Sequence, residues 1–285
     1  MIISASRRTD IPAFFSEWFI NRINEGYCIN KNPYSGKEYK TILTPNTVDC
    51  IVFWTKDCGP MLNKVNKLSN YAFYFQHTIN PYDNEIETNV RNKKLIIEDF
   101  KKMSDKIGKE RMIWRYDPIL INEKYTAEKH IKLFEEMANE LSGKTESCVF
   151  SFVDMYAKTI NNTKCNSARE PNREEMEYMA EQMSKIAQKN NISLKTCSEQ
   201  IDLSKYKIEH NKCIDDKLIE RITGKKLFAE KDSWQRAICG CVKSQDIGMY
   251  NTCTHGCTYC YANKNKSQAI EIAKQHNPKS PYLIG

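Results

Sequence analysis

Short runs of β-branched and aromatic residues alternate with amphipathic helical stretches along this chain, and that alternation restricts its fold more than any other feature. Strand, helix, strand in succession builds a parallel sheet with helices packed against it. The runs predict strands at residues 2–6, 50–54, 72–77, 112–116, 148–153, 193–196 and 247–252, with a weaker eighth at 208–213. Helices are predicted at 13–24, 90–106, 127–141, 173–190, 215–222 and 267–275. The fourth begins with capping chemistry: Asn172 stands in the cap position, Glu175 three residues on and Pro171 just before. Seven or eight such units fit an α/β fold of the (β/α)-barrel type, full or partial. A chain of 285 residues can bury one large core, so 1–285 reads as a single domain with a cysteine-rich segment at 239–260. Two polar stretches, 27–46 and 156–170, are long enough to be lids or insertions.

Composition narrows the setting. No stretch approaches the ~18 consecutive apolar residues of a membrane span, and the first residues lack the basic-then-apolar order of a signal peptide. The expectation is a soluble, cytoplasmic protein without a membrane partner. There the twelve cysteines stay reduced, which favours metal ligation over disulfides for the clustered ones. Cys28, Cys50, Cys58, Cys148 and Cys165 are scattered and read as ordinary small residues. The net charge of +7 is mild and its lysine runs are short, as solvated helix faces would give. It leaves a nucleic-acid partner open without favouring one, because no aromatic-basic recognition module is visible.

The clustered cysteines carry the chemistry. In Cys253-Thr254-His255-Gly256-Cys257-Thr258-Tyr259-Cys260, three thiolates at spacings of four and three residues can wrap one corner of an iron-sulfur cube. Such a loop leaves one iron without a protein ligand, a place for a small molecule to bind and react. The plainer reading is a structural zinc site, which favours paired C-x2-C knuckles. Upstream lie Cys197, Cys213 and the pair Cys239 and Cys241, four thiols that suit a second iron-sulfur cluster or a zinc. They can also be unrelated buried cysteines, or Cys239 or Cys241 can close the first cluster as its fourth ligand and remove the open iron.

The C-x3-C-x2-C pattern with Tyr259 before its last cysteine resembles the cluster loop of the radical S-adenosylmethionine (radical SAM) enzymes. There the loop usually lies near the N-terminus; here it ends 25 residues before the C-terminus. More of the chain resembles a bacterial family, the domain of unknown function 1848, whose cysteine cluster is also C-terminal. That likeness rests on Ser4-Ala5-Ser6-Arg7-Arg8-Thr9-Asp10-Ile11-Pro12, Val52-Phe53-Trp54-Thr55-Lys56, Trp114-Arg115-Tyr116-Asp117-Pro118, Ser151-Phe152-Val153-Asp154 and the stretch from Gln235-Arg236 through Asn263. It brings no settled reaction. The radical SAM resemblance implies a barrel in circularly permuted order, with 247–252 as the strand feeding the loop and 2–6 next to it in space. It also implies a 4Fe-4S cluster on Cys253, Cys257 and Cys260, whose open iron chelates the amino and carboxylate groups of S-adenosylmethionine (SAM). Reductive cleavage then yields a 5'-deoxyadenosyl radical that abstracts hydrogen from an unidentified substrate, with Tyr259 near the adenine and an electron donor such as flavodoxin or ferredoxin.

In a parallel barrel the site lies at the carboxyl ends of the strands, and polar residues collect at six of those predicted ends. Arg7 and Arg8 follow Ser6 at the first; if the strand continues through them, only one faces the cavity, where it can hold a carboxylate, and otherwise both are surface charges. Arg115 inside an apolar strand needs a buried anion, with a structural pair to Asp117 as the alternative. His77 is a proton donor or a satisfied buried histidine. Asp154 and Glu199 can hold ribose hydroxyls, act as acid or base, or simply cap the next helix. Three other classes of function stay open: a radical-based DNA or RNA repair or modification enzyme, an iron-sulfur electron carrier or sensor that does not cleave SAM, and a zinc-stabilised barrel doing unrelated hydrolysis.

Overall fold

The strand runs form one eight-stranded parallel sheet in a computed structural model that describes residues 1–163 and 167–285. Lys164 and Cys165, named above in the second polar stretch and among the scattered cysteines, lie outside the described residues. In chain order the elements are β1 (Ile2–Ala5), α1 (Ile11–Phe14), α2 (Ser16–Glu25), β2 (Tyr27–Lys31), β3 (Glu38–Ile42), β4 (Cys50–Thr55), β5 (Phe73–Thr78), α3 (Lys93–Ile107), β6 (Met112–Ile119), α4 (Ala127–Leu141), β7 (Ser147–Phe152), α5 (Ala157–Thr163), α6 (Arg173–Lys189), β8 (Ser193–Thr196), β9 (Glu209–His210), α7 (Asp216–Thr223), β10 (Gln245–Asp246) and α8 (Lys266–Ala273). The sheet order is β10-β1-β4-β5-β6-β7-β8-β9. Asn172 caps α6 in a full capping box with Glu175.

Strand alternation sorts side chains into two layers. One face carries Phe53, Phe75, Trp114 and Phe150 into the main core beneath the helices. There Phe53 stacks on Phe75 at 4.7 Å and Trp114 on Phe134 of α4 at 4.9 Å. Such ring pairs contribute about 0.5–1.5 kcal/mol each beyond the area they bury. The other face carries Val52, Tyr74, Ile113 and Val149 into a second cluster whose remaining members include Cys213, Cys239 and Cys241. The cysteine-rich segments thus cover the face that the helices leave free.

Three expectations change. First, no ladder joins β10 to β9 among the described residues, so the sheet is open and the full form of the barrel does not occur. The segments following β9 and preceding β10 still meet, with Val242 N donating to Ile214 O at 3.2 Å. Second, the strand at 247–252 is replaced by two-residue β10, which pairs with β1 through Ile3–Gln245 and Ser4–Asp246. Gly248 ends it, because a Cβ there would meet Ser6 Oγ at 2.1 Å, and the chain turns away into the cysteine loop. Third, polar stretch 27–46 contains the β2–β3 hairpin, and α5 occupies part of 156–170. The hairpin escaped notice because its buried contact is polar: Asn30 Nδ2 donates to Thr41 Oγ1 at 2.9 Å.

The C-terminal end folds back onto the start of the chain. Trp18 Nε1 donates to Ser280 O at 3.0 Å and Asn21 Nδ2 to Pro278 O at 2.8 Å. No helix among the described residues is long and apolar enough to cross a membrane.

Candidate active site

Parallel strands aim their carboxyl ends at one side of the sheet, and the loops there enclose a cavity of about 680 Å³. That volume is in the range of small-molecule sites. Ser6, Arg7, Arg8, Arg115, Asp117, Asp154, Glu199 and Tyr259 line it, as do both cysteine groups. His77 is the exception. It shares a face with Phe75 and is fully buried against Phe100 of α3 at 5.2 Å, with Cys58 N donating to its Nε2 at 3.3 Å. Burial pushes its pKa down to about 3, so it is a neutral core histidine. A wider cleft adjoins the cavity and shares Asp154, Ser198, Glu199 and Arg236 with it.

Asp246 fixes one wall. It accepts from Ser4 Oγ at 2.9 Å, Ser6 Oγ at 2.6 Å, Arg7 N at 2.9 Å and Gly248 N at 2.9 Å, joining the ends of β1 and β10. Because β1 stops at Ala5, strand alternation does not govern the next residues, and both Arg7 and Arg8 reach the cavity. The expectation that only one would face it applied to a strand running through both residues, and that strand does not occur. Arg8 lies over Tyr250 and 3.9 Å from Asp246. Arg7 packs over Trp54, its guanidinium carbon 5.1 Å from the ring centre, and makes no ion pair among the described residues.

Arg115 reaches the same indole from the other strand side at 5.4 Å. Its Nε donates to Asp117 Oδ2 at 3.0 Å and its Nη1 to Gln76 Oε1 at 3.1 Å and Cys213 Sγ at 3.0 Å. Burial disfavours its charge, but Cys213 and Asp117 outweigh that and hold its pKa well above the usual value. Both sequence readings of Arg115, cavity-facing and paired to Asp117, therefore hold together. Asp154 pairs with Arg236, and Glu199 Oε1 accepts from Phe152 N at 2.9 Å; neither caps a helix. Burial pushes Glu199 up to about 7.

The three-cysteine loop is held by groups that the sequence reading had not singled out as site residues. Asp10 caps α1 through Ala13 N at 2.9 Å and also accepts from Lys56 N at 2.8 Å, while its Oδ2 lies 2.8 Å from His255 Nε2 inside the loop. Glu87 is fully buried and takes Lys56 at 2.7 Å, Lys93 and the Tyr259 hydroxyl. Burial opposes its ionisation, yet the two lysines lower its pKa to about 2. Backbone bonds add to this, with Thr258 N donating to Ile86 O at 2.9 Å and Asn89 N to His255 O at 2.8 Å. Gly256 turns the loop at φ +68°, which favours glycine. Asp10 and Lys56 were visible at strand ends; Glu87 and Asp246 carried no signal, since their partners are distant in sequence.

Several buried polar atoms at or near the cavity have no partner among the described residues: His255 Nδ1, Thr258 Oγ1, Thr9 Oγ1 and Trp54 Nε1. Buried polar atoms without partners are costly, and a ligand, an ion or ordered water normally satisfies them. Sulfide-rich inorganic clusters accept such hydrogen bonds, and three thiols on one loop supply the donor set. Burial pushes the Cys257 thiol up to about 12 and Cys253 well above its ordinary value, so ionising them requires a nearby metal charge. The residues present fit an iron-sulfur cluster in this respect. As they stand, no three His, Cys, Asp or Glu side chains among the described residues converge as they would on a single ion.

The family described as Domain of unknown function (DUF1848) matches residues 2–262. The chain belongs to that family. The DUF1848 match takes in every strand, both cysteine groups and the cavity wall, and ends before α8. No curated protein matches the chain.

Proposed function

We propose that this DUF1848 member is a radical SAM-type enzyme whose open sheet is a permuted, partial form of the radical SAM barrel. The observation that carries the reading is that Cys253, Cys257 and Cys260 open into the same cavity as Arg7, a guanidinium with no carboxylate partner among the described residues. β10 runs parallel beside β1 and leads into the loop, which supports the permuted order. When bound, a 4Fe-4S cluster supplies the electron for reductive cleavage of the SAM sulfonium.

The chain's own residues bind, orient and exclude water. Arg7, packed over Trp54 and without an ion pair among the described residues, can take a carboxylate with two parallel hydrogen bonds. Lys56, Glu87 and Asn80 lock the Tyr259 ring at the cavity wall, with Asn80 Nδ2 3.2 Å from its hydroxyl. Glu199, with its pKa near 7, can hold or release a proton close to neutral pH.

The test is anaerobic reconstitution followed by reduction with dithionite and addition of SAM. The proposal expects a changed spectrum of the reduced cluster and slow formation of 5'-deoxyadenosine. A cluster that binds but neither responds to SAM nor cleaves it would make the protein an electron carrier.

A further inference from the structure

The other four cysteines make a second thiol group lining the same cavity. They come from three separate parts of the chain: Cys197 just after β8, Cys213 after β9, and Cys239 with Cys241 on the segment before β10. Cys197 Sγ and Cys213 Sγ are 3.4 Å apart. The Cys241 sulfur accepts from two successive backbone amides, Cys213 N at 3.2 Å and Ile214 N at 3.4 Å. Cys213 Sγ accepts from Arg115 Nη1 at 3.0 Å and Asn211 Nδ2 at 3.4 Å.

A neutral thiol is a weak acceptor, and four donors on two sulfurs would be poorly used if both stayed protonated. Charged acceptors make such bonds about twice as strong. Several thiolates side by side repel one another unless a cation lies among them. Arg115 donates to Cys213, and Arg7 also lies close enough to Cys213 and Cys241 to interact with both, but two guanidiniums set against four thiolates leave the group net negative. As they stand the four sulfurs do not converge as ligands of one ion; a thiophilic metal bound among them would draw them together and keep them deprotonated, which resolves both problems.

We infer that Cys197, Cys213, Cys239 and Cys241 together hold a second metal centre, four-thiolate and distinct from that of the three-cysteine loop. Its ligand chemistry is shared by a 4Fe-4S cluster and by a single zinc ion. With four protein ligands it has no open position, so it serves as an electron-relaying or structural centre beside the cavity. This inference does not depend on SAM binding at the other loop.

The experiment is metal and acid-labile sulfide analysis of anaerobically prepared full-length protein and three variants. In the first, Cys253, Cys257 and Cys260 are changed together to Ala; in the second, Cys239 and Cys241 to Ser; in the third, Cys197 alone to Ser. The triple variant is expected to retain either about four irons with matching sulfide or about one zinc, and either result supports the second centre. The Cys239→Ser/Cys241→Ser protein is expected to lose that same metal. Cys197→Ser removes a half-buried thiol with little disturbance to packing, and is expected to weaken retention against a chelator at least tenfold in a protein whose circular dichroism is unchanged. A folded triple variant that contains neither metal would overturn the inference. So would a Cys197→Ser protein with unaltered metal retention, or a Cys197–Cys213 disulfide in anaerobic protein. Metal at the four cysteines and none at the three-cysteine loop would leave this inference standing and defeat the radical SAM reading.

Discussion

Two groups of thiols line one cavity, and they differ in how they are built. Cys253, Cys257 and Cys260 sit on one short loop whose shape is set locally by Gly256 and fastened from outside by Asp10 and Glu87. Cys197, Cys213, Cys239 and Cys241 come from three segments and meet only when the sheet has formed. Around the loop, buried groups such as Thr258 Oγ1 and His255 Nδ1 lack partners, whereas the Cys213 and Cys241 sulfurs of the four-thiol group already accept several N–H bonds. Under the two proposals, the loop cluster keeps an open position and the four-thiol centre has none. Ligand number gives the same contrast, because three thiolates leave a cubane iron open and four do not.

If the contrast holds, substitution should separate chemistry from stability. The largest effect is expected from changing Cys253, Cys257 and Cys260 together to Ala: complete loss of 5'-deoxyadenosine formation, with a smaller fall in melting temperature than at the four-thiol group because the loop's outer fastenings remain. Product analysis and thermal melts read the two quantities. Residual cleavage at the wild-type rate would place the reactive cluster elsewhere.

Next in size is Cys239→Ser/Cys241→Ser, for which the opposite pattern is expected. Metal binding at a folded site is also folding free energy, so the melting temperature of anaerobic protein should fall by several degrees, as about 1 kcal/mol shifts a domain of this length by roughly 2–4 °C. The loop cluster should still respond spectrally to SAM. Equal loss of response and stability in both variants would erase the distinction between the groups.

The local group was legible in sequence and the assembled one only in part, for the same physical reason. Spacing within a loop is written in consecutive residues, so Cys253 to Cys260 could be read directly. For Cys197 and Cys213 only abundance and position hinted at a meeting, and the 3.4 Å contact needed the sheet. Parity explains the remaining differences. Gln76 and His77 are neighbours on β5 and point to opposite faces; register pairs Gln76 with Ile113 and His77 with Trp114, which sends His77 into the helix-covered core. A count of alternating apolar residues, Phe73, Phe75 and then His77, was the available signal. For Arg7 the same rule misled because β1 ends two residues earlier at Ala5. The positions of β1 and of β4 through β8 were readable from β-branched and aromatic runs, while β10 was not, since two residues beside Gly248 give no run to read.

Arg7 offers a finer test of the open side of the comparison. Losing a charged hydrogen-bond partner typically costs about 1.5 to 3 kcal/mol, so Arg7→Ala should raise the SAM dissociation constant roughly tenfold or more. Arg7→Lys should recover part of the affinity, having the charge but not the paired donors. Titration of the spectral change with SAM measures both. The metal content of the four-thiol group should stay constant throughout, and a drop in it would mean that Arg7 serves that group instead.

The smallest effect is expected at His77, which belongs to neither group. Burial holds its folded pKa near 3 against an ordinary value of 6.5, so it stays neutral in the fold and takes a proton only on unfolding over most of that interval. A basic group with a depressed pKa favours the folded state fully above about 6.5, and that contribution is lost progressively as pH falls from there toward 3. His77→Gln keeps an acceptor within reach of Cys58 N but cannot titrate. Stability of the variant, measured by denaturant melts between pH 7 and pH 4, should therefore decline less steeply than that of the parent, with 5'-deoxyadenosine formation at neutral pH unaltered. A variant that folds as well as the parent yet loses cleavage would bring His77 back to the cavity chemistry, and would require the helix-covered face of β5 to communicate with the loop through Cys58 and Lys56.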